Sequence, residues 1–201
     1  MSANRDVFDR NLQRVDSLCA FYDQIKRDMK TGNNKEFKFT DMLRAATVFL
    51  HSAFEEYYRE IITIWLPING NRDSLKVINL PDDAAKNGTK YNLIDLLAYK
   101  DKTVEELFQE SIYEYMNRTT FNSYKEICSL ALKVGLDLSE FSMGKDIDNA
   151  VQRRHRIVHE ADLDIQSGKN KLRGIQGSEI VQWRNAYSEL VDLIDAQIAE
   201  W

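Results

Sequence analysis

Two of the chain's 3 histidines fall in the stretch Gln152-Arg153-Arg154-His155-Arg156-Ile157-Val158-His159, and no other part of the sequence concentrates titratable and cationic side chains so densely. From Lys145 to Arg173 there are seven Lys or Arg against five Asp or Glu, a net of +2, so the remaining chain carries −7 of the total −5. Cations can hold a phosphate diester. Imidazole, with a reference pKa near about 6.5, can carry a proton at neutral pH. Arg154 and His159 form an Arg-x4-His pair, with the polar His155 directly after the arginine. On an ideal helix five positions turn the chain by about 140°, so the pair would not share a face. Convergence then requires a helix end at that point, or a second copy of the chain. A two-fold dimer supplies the second copy, because an isologous interface brings the same short motif together from both chains.

With 3 His and 13 Arg in 201 residues, chance supplies about 0.2 such pairs at any one spacing, so context must decide. Arg153, Arg154 and Arg156 also fit a solvated helix face near a C-terminus, where the dipole favours cations. His155 and His159, four apart, share a helix face at a metal-binding spacing with Glu160 adjacent, but the order is not that of zinc proteases and His51 is the only remaining histidine. No metal site and no cofactor is expected. His51, among Phe49, Leu50 and Phe54, reads as a satisfied core or interface residue, and Phe54, Tyr57, Tyr58 and Trp65 read as core packing rather than base stacking.

These residues need helices to carry them. Apolar residues at three-four spacing predict a first helix from Val7 to Met29, ended by Thr31 to Asn34. A second helix, N-capped by Thr40 and reaching about Trp65, is apolar on more than one side through Leu43, Ala46, Phe49, Leu50, Phe54, Tyr57, Tyr58, Ile61 and Trp65, which predicts a central position; Pro67 should end it. From Pro67 to Tyr91 both prolines and scattered Gly, Asn and Asp mark an irregular insertion. A short helix is expected over Asn92–Tyr99, and Thr103 with Glu106 and Ser123 with Glu126 fit capping boxes that start two more. After Gly135 a turn-rich piece leads to Gly144, where the helix bearing the Arg/His stretch begins. Gly168, Gly174 and Gly177 break the chain before a last helix from about Ile180 to Trp201.

Composition agrees. Only 8 Gly and 2 Pro are too few for many short strands, and 43% hydrophobic with 29% charged residues fits a globular chain with one sizeable core. No linker or repeat divides it, so residues 1–201 are expected to form a single domain. A pI near 5.3 excludes a protein that coats nucleic acid with its whole surface. Cys19 and Cys128 follow no metal-ligand spacing and read as reduced, small apolar side chains. The N-terminus lacks a signal-peptide pattern and the longest apolar run cannot span a bilayer, so a cytoplasmic protein with no membrane role is expected. Gly-rich phosphate loops, Gly-x-Ser-x-Gly elbows and paired Cys motifs are lacking.

The segments RHRIVHEADLD (Arg154 to Asp164), VFLHSAFEEYYREI on helix two and SELVDLIDAQI near the end resemble the HEPN superfamily of helical nucleases and nucleotide-binding proteins. The likeness is to the RiboL-PSP-HEPN-like subfamilies, with a long N-terminal helix and Asn, Asp or His after the arginine. The resemblance implies an all-α, up-and-down helical bundle, here with extra short helices and an insertion, and a homodimer joined through the Arg154–His159 region. It implies Arg154 and His159 as catalytic residues, supported by His155 and by the helix-two acidic residue, which maps to Glu55. Arg153 to His159 satisfies the looser spacing of the motif, so either arginine fits. The activity implied is a metal-independent endoribonuclease acting on RNA, leaving 2′,3′-cyclic phosphate and 5′-hydroxyl ends. Its setting would be a prokaryotic toxin–antitoxin or defence system with an antitoxin or other partner protein. The alternative is a non-catalytic HEPN-like module that binds RNA, a nucleotide or a partner.

Overall fold

The computed structural model describes residues 3–28, 36–81, 93–164 and 171–200. Four long helices carry the core: α1 (Ala3–Asp28), α2 (Glu36–Asn69), α7 (Gly144–His159) and α8 (Gly177–Ile198). Between them lie the short α3 (Arg72–Leu75) and α4 (Leu93–Leu96), a single 3-10 turn at Leu97–Tyr99, then α5 (Val104–Arg118) and α6 (Tyr124–Lys133). The fold is all-α apart from a two-residue antiparallel pair, β1 (Leu163–Asp164) and β2 (Lys171–Leu172), with Leu163 opposite Leu172.

Cross-helix contacts set the directions. Phe8 meets Tyr57 and Arg14 lies over Phe49, so α1 and α2 run antiparallel. Arg154 meets Glu55 while Asp162 meets Arg44, so α7 opposes α2. Gln182 bonds Asp146 and Arg153 bonds the Gly174 carbonyl, so α8 opposes α7. The result is the expected up-and-down bundle with α2 at its centre. Leu43, Leu50, Phe54, Tyr58 and Ile62 are fully buried, and Tyr57, Ile61 and Leu66 nearly so, because α2 is covered by α1, α5, α6, α7 and α8. No described helix is long and apolar enough to cross a membrane.

Several local expectations need correction. Thr40 does not cap α2, which starts a turn earlier at Glu36; Phe39 packs on the core and extends the helix, and Thr40 Oγ1 instead accepts from Arg44 Nη1 at 2.7 Å. Pro67 does not end α2. Buried Leu66 anchors the last turn and its carbonyl accepts from Gly70 N, so packing overrides the missing N–H. Phe49 is 41% exposed, its ring covered by Arg14 rather than by the core. Thr103 and Glu106 form the reciprocal capping box. Ser123 caps α6, but Glu126 reaches past it to the Asn122 N–H, so that box is not closed. The hairpin was unexpected from glycines that read only as breaks. Residues 31–34, 82–92, Gly168 and Trp201, where some expectations fell, lie outside the described residues.

Candidate functional site

Along α7 the core-facing stripe runs Ile147, Ala150, Val151 at three-four spacing, and one more turn brings Arg154 into line with it. Arg154 therefore points inward at the end of an apolar stripe, its side chain 25% exposed. What meets it there is Glu55 of α2, whose Oε2 is 3.8 Å from Arg154 Nη2, an ion pair longer than a hydrogen bond. Glu55 lies one turn after His51 on the same face, and His51 Nε2 is 3.4 Å from Glu55 Oε1. The other ring nitrogen, Nδ1, is 2.8 Å from the Tyr187 hydroxyl on α8. His51 and Tyr187 are buried. Burial alone would raise the Glu55 carboxyl, but the His51 ring 3.4 Å away and the charges of Arg154 and Arg59 outweigh it and hold the group below the usual carboxylate range.

Arg154 makes no hydrogen bond among the described residues, and its buried Nε–H has no partner. That leaves a cation whose position is biased by one carboxylate while its donors stay uncommitted, which is what recognition of an oxyanion requires. Arg153 shares the unpartnered Nε–H, but the end of its guanidinium is committed. Its Nη2 bonds Asp162 Oδ2 at 2.9 Å, the Gly174 carbonyl at 2.8 Å and the Arg173 carbonyl at 3.3 Å. Asp162 is fully buried and also receives Arg44 Nε at 2.7 Å. Arg153 is thus spent on a structural node, and Arg154 is the arginine turned toward the helix-two carboxylate.

That node ends α7. No glycine follows His159; instead Ala161 and Asp162 both take left-handed backbone, at φ 49° and 55°. Such angles cost an L-residue roughly 1–2 kcal/mol each and persist where neighbours over-determine them. Here the Asp162 carboxylate is clamped by two arginines and its carbonyl accepts from Arg173 N. Spacing analysis missed Asp162 and Arg44, for nothing in residue type announces the left-handed stop.

His155 and His159 lie on the exposed side of α7, their ring centroids 4.6 Å apart. His159 is the last residue of the helix, so α7 is continuous from Arg154 through His159 and the 140° offset between them persists. Between them Val158 is 50% exposed. A cavity of about 640 Å³ lies elsewhere, between α1, α2 and residues 173–178, and includes neither Arg154 nor His159. Among the described residues, no three His, Cys, Asp or Glu side chains gather as metal ligands.

A family model described as RiboL-PSP-HEPN matches residues 9–200. No curated protein and no solved structure gives a significant match to the chain.

Proposed function

The chain belongs to the RiboL-PSP-HEPN family, and from that premise we propose that it is a metal-independent endoribonuclease whose site is built from Arg154 and His159 of two copies of the chain. The family makes it a nuclease or nucleotide-binding module of the HEPN superfamily. The observation that carries the finer reading is the uncommitted Arg154 guanidinium, held among the described residues by Glu55 alone, on the same helix as two exposed imidazoles.

The chemistry needs a base, an acid and a cation. One His159 takes the proton from a ribose 2′-hydroxyl; the 2′-oxygen attacks phosphorus, the bond to the 5′-oxygen breaks, and an imidazolium returns a proton to that oxygen. Arg154 neutralises the charge that builds on the phosphoryl oxygens, and Glu55 keeps its side chain extended toward them. His155 contacts phosphate or orients its neighbour. The products are a 2′,3′-cyclic phosphate and a 5′-hydroxyl, and DNA, which lacks the 2′-hydroxyl, is not cut.

Two copies enter because a continuous α7 keeps Arg154 and His159 on different faces, while the half-exposed Val158 between them offers apolar surface for a partner. We assign the enzyme to prokaryotic toxin–antitoxin or defence systems, restrained by an antitoxin or partner protein, on the family resemblance alone. The test is incubation of the parent protein and His159→Ala with a labelled RNA pool in excess chelator. Cyclic-phosphate ends from the parent only are expected. Cleavage that persists in His159→Ala overturns the assignment, and a dimer that binds RNA without cutting it makes the domain a binding module.

A further inference from the structure

His51 and Tyr187 are buried, titratable and not used by the chemistry above. We propose that they are positioning residues of the site: a buried relay, Tyr187 to His51 to Glu55, that holds the Arg154 guanidinium in its phosphate-binding orientation. The inference rests on the reading of Arg154 as the site arginine.

The relay joins three helices: His51 and Glu55 on α2, Arg154 on α7 and Tyr187 on α8. Its links are 2.8 Å from Tyr187 to His51 Nδ1, 3.4 Å from His51 Nε2 to Glu55 and 3.8 Å from Glu55 to Arg154. Burial pushes ionisation of the Tyr187 hydroxyl far above its ordinary range, so it stays a donor. A tyrosine that donates to Nδ1 fixes the other tautomer of a neutral His51, with its proton on Nε2 facing Glu55. The orientation of one carboxylate is therefore set from the far side of the core. Tyr187 is itself locked, its ring 4.9 Å from that of Phe54. A core that needed only volume at these places would use apolar side chains, since buried polar groups are costly unless each finds a partner.

The groups that face Glu55 are His51 and Arg59 from α2, Arg154 from α7 and Tyr187 from α8; Asp148 of α7 also acts on Tyr187. Of these the proposal changes only His51 and Tyr187. Near-isosteric Tyr187→Phe removes the donor and keeps the ring; His51→Leu removes the relay; His51→Gln retains an N–H for Glu55.

The experiment has two arms. In the first, the Glu55 carboxyl is titrated by 13C NMR in the parent and the three variants. His51→Leu should move its midpoint upward by about half a pH unit or more, Tyr187→Phe should move it the same way, and His51→Gln should stay near the parent. An unchanged midpoint in both His51→Leu and Tyr187→Phe overturns the relay. In the second, kcat and KM on RNA are measured for Tyr187→Phe with Glu55 intact and in a Glu55→Gln background. The expected result is a loss of about threefold to tenfold in kcat, the worth of one neutral hydrogen bond, with KM nearly unchanged and no further loss in Glu55→Gln. Losses that multiply across the two backgrounds assign Tyr187 to packing and overturn the proposal. The first arm uses no RNA. A parent that fails to cleave RNA thus sinks the nuclease reading, while the titration still decides the relay.

Discussion

Adjacent arginines on α7 do different work because neighbouring helix positions differ by about 100° in direction. Arg153 neutralises the buried Asp162 together with Arg44, whereas Arg154, among the described residues, makes no hydrogen bond and meets only Glu55, at 3.8 Å. Substitution should separate the two. Arg154→Ala is expected to lower cleavage by about a hundredfold or more with little change in thermal stability, the loss of one charge-stabilising group in a site. Arg153→Ala should instead destabilise the fold by about 3 kcal/mol, as breaking a buried pair does, which denaturant unfolding would read. Glu55 adds a pH prediction. Its folded carboxyl titrates below its ordinary value of 4.5, so its contribution is present above that value and is lost as pH falls through the folded one. Glu55→Gln should therefore flatten the acid side of the stability–pH curve, measured by thermal melts from about pH 6 to about pH 3. The sequence exposed Arg154, His155, His159 and Glu55 through spacing and resemblance, but not which arginine turns inward. The signal was present in the run Ile147, Ala150, Val151, Arg154, which marks one face only once α7 is known to pack on α2.

At the scale of elements, α7 depends on how it stops. Ala161 is exposed and left-handed, so its methyl makes no core contact to offset the strain. Ala161→Gly should raise stability by about 0.5–1 kcal/mol, the left-handed penalty less the entropy that glycine adds to the unfolded chain. A drop in stability in the same unfolding measurement would contradict that account of the helix end. The helices themselves were legible because long stripes at three-four spacing dominate α1, α2, α7 and α8. Their ends were less so. Thr40 and Pro67 carry strong local signals, yet Phe39 and Leu66, packed on the core, draw α2 past both. The hairpin at Leu163–Asp164 and Lys171–Leu172 follows from the Asp162 clamp, a contact with Arg44 more than a hundred residues away that no local pattern encodes.

For the whole molecule, one bundle places a fixed cation and two exposed imidazoles on a single helix, and the proposed enzyme completes the site by pairing two such helices. Activity per chain should then fall on dilution below the dimer dissociation constant, and Val158→Asp, which sets like charges against each other across a two-fold, should yield monomers by sedimentation together with lost cleavage. The four long helices and the central place of α2 were readable from the apolar patterning, while their up-and-down order came from the family resemblance. The assembly of two chains was argued there from the angle between Arg154 and His159 and from the family resemblance. The most direct measurement of the central claim uses one oligonucleotide in two forms, all-ribose and with a single 2′-deoxy substitution at the cleaved position, in excess chelator with the parent protein. Cleavage of the ribose form alone, leaving a 2′,3′-cyclic phosphate, is the predicted result; cleavage of the deoxy form at that position, or a 3′-hydroxyl product, would contradict it.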